Sequence, residues 1–158
     1  MRAKNKDFFE DKKHLDAKDL RFGIVISNWN KEITDNMYEG CYSTLIRLGV
    51  KTGDIITDYV PGGFELIFGA KRMNKNNVDA IICIGSVIQG ETKHFDFICN
   101  SIALGIKDLN IMLDTPVIFG VLTDNNIDQA MDRSGGKLGN KGIESAIAAI
   151  EMALLNKR

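Results

Sequence analysis

Cysteine is scarce: Cys41, Cys83 and Cys99 are the only three in 158 residues, and none stands in a C-x-x-C pair. That count and spacing indicate neither a disulfide framework nor a thiolate zinc site. All three fall on expected core faces or in a core strand and read as buried apolar side chains, which suits a reducing cytoplasm. Net charge is scarce too. Twenty basic and 21 acidic residues are interspersed to a formal charge of −1, leaving no electrostatic footprint for nucleic acid or an anionic membrane. No apolar run reaches membrane-spanning length, and the first twenty residues, charged throughout, lack the apolar centre of a cleavable secretory signal.

Missing motifs narrow the chemistry further. No Ser, Cys or Lys stands in a recognisable nucleophile elbow, so covalent catalysis has little support. Neither the Walker lysine pattern nor the dinucleotide glycine fingerprint occurs. The first and third apolar runs end in "SNWN" and "GSVI", without the acidic cluster that a response regulator needs. Histidine occurs twice: His14 lies in the charged N-terminal stretch and has no expected role, whereas His94 follows a Gly-bracketed polar loop.

What is present suffices for one domain with a proper core, at 44% hydrophobic content. Residues 1–20 read as a mobile or surface-lying arm, because Phe8, Phe9 and Leu15 bury too little to offset its ordering. Residues 21–158 read as the single domain. "FGIVIS" is a strand buried on both faces. Thr34 is expected to cap the next helix, with Ile33 and Tyr38 as a hydrophobic staple and Met37, Cys41, Leu45 and Leu48 facing the core before Gly49. "DIITDYV" is the second strand, broken by Pro61-Gly62-Gly63, and a helix runs from about 64 to 74. "AIICIGSVI" is the third strand, followed by a helix with Phe95, Ile98, Ile102 and Ile106 on one face. "PVIFGVL" is the fourth, with Pro116 acceptable at its start, then a short helix over about 126–133. A glycine-rich turn leads to a final helix with Ile143, Ala146, Ile147, Ile150 and Leu154 in register. This alternation predicts an α/β three-layer sandwich, a four-stranded parallel sheet flanked by helices in flavodoxin-like topology.

Ligands of such sheets bind beyond the carboxyl ends of the strands. Four segments converge there: Trp29 and Asn30, "PGGFE", "GETKH", and residues 119–123. In "QGETKH" the backbone N–H groups near Glu91, Thr92 and Lys93 can face an anion, Gly90 permits close approach, and the Thr92 hydroxyl adds a donor. His94 beside that anion suits proton transfer near neutral pH. On its own, His94 reads equally well as a helix-cap or surface residue. Trp29 in a polar turn suits stacking on a flat ring, with packing on a neighbour as the plainer reading. Glu65 can accept from hydroxyl groups or simply favour a helix start. Arg133 and Lys141 could hold a phosphate, although taken alone they read as solvated charges.

The segments "SNWNKEIT", "VPGGFEL", "GSVIQGETKHFDFI", "PVIFGVLT", "DQAMDRSGGKLGNKG" and "ESAIAAIEM" together resemble 6,7-dimethyl-8-ribityllumazine synthases over about residues 21–155. The resemblance implies condensation of 5-amino-6-(D-ribitylamino)uracil with 3,4-dihydroxy-2-butanone 4-phosphate, releasing water and phosphate, in riboflavin biosynthesis. No cofactor or metal is implied. Trp29 would stack on the pyrimidine; Asn30, Gly63, Phe64 and Glu65 would meet the ribityl chain, and Val87 and Ile88 the ring edge. Glu91 and Thr92 would bind phosphate, and His94 would move protons. Family sites form between subunits of a homopentamer, so Phe119, Arg133 and Lys141 would come from the neighbour: Phe119 over the ring, Arg133 on the phosphate, Lys141 near the ribityl chain or His94. Glu144 would orient the Lys141–His94 pair. The short connection between Arg133 and Lys141 resembles that of capsid-forming members, implying a sixty-subunit particle that could enclose riboflavin synthase. Two departures stand out: Trp29 where many members have Phe, and Leu66 where a proline often follows the "FE" pair. The rival readings are a flavin-binding or shell-forming protein with little activity, and a phosphosugar enzyme using the same loop, which leaves Trp29 without a flat partner.

Overall fold

The computed structural model describes residues 11–158. Among these, β1 (Phe22–Ser27), β2 (Ile55–Val60), β3 (Ala80–Ile88) and β4 (Val117–Asp124) form one parallel sheet in the order β2-β1-β3-β4. Five helices accompany it: α1 (Lys31–Arg47), α2 (Leu66–Met73), α3 (His94–Met112), α4 (Ile127–Arg133) and α5 (Lys141–Asn156). The expected three-layer α/β sandwich is the observed one.

The central strands are continuous apolar runs because both of their faces are covered. Phe22, Ile24 and Ile26 of β1, with Ile82 and Ile84 of β3, pack against α1 and α5. Their neighbours in register, Val25, Ile81 and Cys83, pack against Leu66, Ala70, Ile102 and Ile106 of α2 and α3. The two helix layers therefore follow the period-two alternation of the strands. Within the α1–α5 layer the fit is close at glycine. A Cβ on Gly142 would stand 1.8 Å from the Met37 carbonyl oxygen, so the backbone of α1 lies directly against the first turn of α5.

Four boundaries differ from the sequence reading. Thr34 does not cap α1. It is buried within the helix and its hydroxyl donates to the Lys31 carbonyl, because Asn30 takes a left-handed conformation (φ 55°, ψ 51°) and starts the helix earlier. Asp54 belongs to a short 3-10 turn ahead of β2. The second helix begins at Leu66 rather than near residue 64, since Gly63, Phe64 and Glu65 form a tight turn in which Leu66 N–H donates to Gly63 C=O at 3.2 Å. It ends at Met73 and passes into a 3-10 turn over Asn74–Asn76. The glycine-rich turn contains a small antiparallel hairpin, β5 (Ser134–Gly136) with β6 (Gly139–Asn140).

The arm is not solvated to residue 20. Ala17 and Leu20 are buried, Ala17 N–H donates to Leu48 C=O at 2.9 Å, and Lys12 pairs with Glu151. Phe8 and Phe9 lie outside the described residues. Cys41 and Cys83 are fully buried, as expected, and burial pushes the Cys83 thiol up to about 12 and the Cys41 thiol higher still. Cys99 departs from expectation: it is only half-buried on α3. No helix among the described residues is long and apolar enough to cross a membrane.

Candidate active site

In the order β2-β1-β3-β4 the chain leaves β1 toward β2 and then returns to β3 on the other side, so a crevice opens between the carboxyl ends of β1 and β3. A cleft of about 470 Å3 lies there. Trp29 from the β1–α1 turn, Gly63, Phe64 and Glu65 from the β2–α2 turn, Val87 and Ile88 at the end of β3, and Thr92 and His94 at the start of α3 all line it. Eight of the expected site residues thus share one wall.

Each is placed by local backbone chemistry. The Asn30 side-chain amide donates to the Ser86 carbonyl at 3.0 Å and joins the turn carrying Trp29 to β3. The Trp29 indole is 72% exposed, an orientation suited to a ligand face rather than to core filling. Gly63 packs closely: a Cβ there would lie 2.7 Å from Ile102 Cδ1, which would have to shift, and 3.5 Å from Val87 Cγ2. The Thr92 hydroxyl lies 3.4 Å from the His94 backbone nitrogen, turning the loop into α3. The backbone N–H groups of Glu91, Thr92 and Lys93 make no hydrogen bond among the described residues, leaving donors at a helix N-terminus where negative charge is favoured.

Phe119, Arg133, Lys141 and Glu144 do not line this cleft. Phe119 is half-buried against the α2–α3 layer. Arg133 and Lys141 are not solvated charges: Arg133 Nη1 donates to Glu144 Oε1 at 3.3 Å and to Leu138 C=O at 3.2 Å, and Lys141 Nζ donates to Glu144 Oε2 at 3.2 Å. Glu144 thus ties two cations together at the junction of α4, the hairpin and α5, and within one chain it does not orient His94. The cluster of two cations and one carboxylate carries a net positive charge. A second cavity, about 600 Å3, lies between α1 and the hairpin, but no aromatic or basic residue lines it. It offers a flat ring nothing to stack on.

A family model described as 6,7-dimethyl-8-ribityllumazine synthase matches residues 19–157. The chain belongs to the lumazine synthase family. It is 56% identical over 161 residues to the 6,7-dimethyl-8-ribityllumazine synthase of Flavobacterium johnsoniae, covering 100% of this chain and 85% of that one. To the synthase of Christiangramia forsetii it is 58% identical, covering 89% of this chain and 85% of the relative. The synthase of Cytophaga hutchinsonii is 54% identical, with 83% of each chain covered.

For a lumazine synthase site the sequence reading missed several lining residues. Phe95 and Ile98, taken as core-facing, are half-buried and line the cleft. Their signal was available: His94, Phe95 and Ile98 share one helical face at the spacing that brings side chains together. Gly62 and Ser86 also line it. The Ser86 hydroxyl is buried with no hydrogen-bond partner among the described residues.

Proposed function

We propose that the chain condenses 5-amino-6-(D-ribitylamino)uracil with 3,4-dihydroxy-2-butanone 4-phosphate to give 6,7-dimethyl-8-ribityllumazine, phosphate and two molecules of water, in riboflavin biosynthesis. One observation carries the residue-level reading: an exposed indole, a donor-rich helix start and a histidine meet in a single cleft. Residues 21–158 act as one synthase domain, and the three free cysteines suit a reducing cytoplasm.

In this reading Trp29 stacks on the pyrimidine while Val87 and Ile88 bound its edge. Asn30, Gly63, Phe64 and Glu65 meet the ribityl chain, whose hydroxyls the Glu65 carboxylate accepts. Glu91 and Thr92 hold the phosphate by backbone and hydroxyl donors. The uracil amine attacks the ketone and a first water leaves to give an imine; phosphate departs by elimination, the enol left behind tautomerises to a carbonyl, and the ribitylamino nitrogen attacks that carbonyl and expels a second water to close the ring. His94 relays protons between these steps. The reactants carry their own nucleophile and leaving group, so orientation and anion binding supply most of the acceleration, with no cofactor or metal.

Phe119, Arg133 and Lys141, with Glu144, enter the site from a neighbouring subunit of a homopentamer. Self-association is supported by α3, where Phe97, Leu104 and Ile111 recur every seven residues and are 69%, 58% and 73% exposed. An apolar stripe of that kind is characteristic of a protein interface. The short hairpin between Arg133 and Lys141 favours further assembly into a sixty-subunit capsid able to enclose riboflavin synthase. Particle mass by light scattering checks this: sixty chains are expected, and a species limited to five under assembling conditions removes the capsid.

The activity is tested by following lumazine absorbance from the two purified substrates. Wild-type protein should exceed the spontaneous reaction clearly. His94→Ala should lose about 10- to 100-fold, at or below the low end of what general acid–base groups supply, yet stay above background. Loss of all activity with assembly intact would show that His94 contributes more than proton relay. No excess from assembled wild-type protein would favour a flavin-binding or shell-forming role instead.

A further inference from the structure

The residue on which the cleft's geometry turns is Asn30, and the inference rests on the synthase reading above. Among the described residues only Asn30 and Asn77 combine a side chain with positive φ. Asn tolerates that region better than most residues, yet glycine would adopt it without steric cost. What glycine lacks is the amide. In Asn30 the amide nitrogen reaches the Ser86 carbonyl at 3.0 Å, while on the other side Asn28 N–H donates to the Val60 carbonyl at 2.8 Å. The turn is therefore tied to β3 on one flank and to β2 on the other. Trp29 stands between the two ties and makes no hydrogen bond or ring contact of its own among the described residues. Its place over the crevice depends on them.

We propose that Asn30 is a positioning residue whose left-handed backbone and amide bond to Ser86 hold the Trp29 indole over the crevice between β1 and β3. Its amide nitrogen is committed to the protein, so a ribityl hydroxyl meets only its oxygen. Loss of the bond should loosen ring stacking and leave the phosphate grip at Glu91 and Thr92 untouched.

Trp29 is the only tryptophan in the chain, so its fluorescence reports the indole without interference. The test compares assembled full-length wild-type and Asn30→Gly protein. Glycine keeps the turn conformation and removes the tie, so the melting temperature should stay near wild type. Acrylamide quenching of the ligand-free indole should rise about twofold, and the lumazine dissociation constant and the KM for the pyrimidine substrate about tenfold, as expected for a misplaced binding group. Competition by inorganic phosphate should stay within about twofold. Unchanged quenching overturns the proposal, and so does an equal loss of lumazine and phosphate affinity, which would mean general disorder. If wild-type protein makes and binds no lumazine, the synthase reading falls, while the quenching comparison still decides the role of Asn30. Should Asn30→Gly fail to fold, Asn30→Asp keeps a residue tolerant of positive φ but has no side-chain donor, and the same changes are expected.

Discussion

Arg133→Ala should lower kcat/KM for lumazine formation by about 100- to 1,000-fold, the range seen when one preorganised donor to a developing anion is removed. The reaction expels phosphate, and a bidentate guanidinium stabilises the departing group more than it stabilises the bound ester. In the folded chain Arg133 Nη1 donates to Glu144 Oε1 at 3.3 Å and to the Leu138 carbonyl at 3.2 Å, which restricts where the guanidinium can point. Deleting it should leave folding nearly intact, because Glu144 keeps its bond to Lys141. Arg133→Lys should recover only part of the loss, since an ammonium cannot reproduce the planar fork. Activity of Arg133→Ala within about threefold of wild type would remove Arg133 from the phosphate site, as that change is far below the cost of losing such a donor.

The second large effect is on stability. Gly142→Ala places a Cβ 1.8 Å from the Met37 carbonyl oxygen and 2.6 Å from its carbon, both backbone atoms that no rotamer change can move aside. The Asn140 side chain limits relief further, because it accepts from Gly142 N–H at 2.8 Å and donates to the Asn36 and Ser134 carbonyls. Separating α1 from α5 should cost about 3 kcal/mol, at the upper end for overpacking. For a domain of this size that is a fall of about 6–12 °C in Tm. Gly53→Ala, where a Cβ would meet nothing within 4 Å, is the control and should melt near wild type. Equal melting of the two variants would contradict the close approach of α1 and α5.

Three of the sheet strands were legible because a parallel strand covered on both faces must be a continuous apolar run, while the edge strand β2, interrupted by Thr57 and Asp58, was legible from its length and from the Pro61-Gly62-Gly63 break after it. Alternation with helices implied that the strands run parallel, whereas the order β2-β1-β3-β4 is not written in alternation itself. The helix starts were less legible. The capping pattern pointed to Thr34, but the left-handed turn at Asn30 is a backbone choice that Asn permits without announcing. At the turn over Gly63–Glu65 the Ile102 side chain of α3 approaches Gly63, a neighbour nearly forty positions away that sequence spacing does not show. In the cleft, Trp29, Thr92 and His94 were legible because residues at strand ends converge by topology alone. The joining of Arg133 and Lys141 through Glu144 was not, because a hairpin with its own register intervenes and helix spacing does not cross it.

The order in which the chain is made gives the two-layer packing a temporal meaning. Among the described elements α1 is made early, and the helix that lies against it, α5, follows all the others. The face of Met37, Cys41 and Leu45 consequently lacks one of its covers until about residue 156 has been added, whereas α2 and α3 can close the opposite layer much sooner. From the making of α1 until the making of α5 one greasy side is incomplete, the condition in which aggregation and chaperone capture compete with folding. Completion of α5 is the event that ends that exposure.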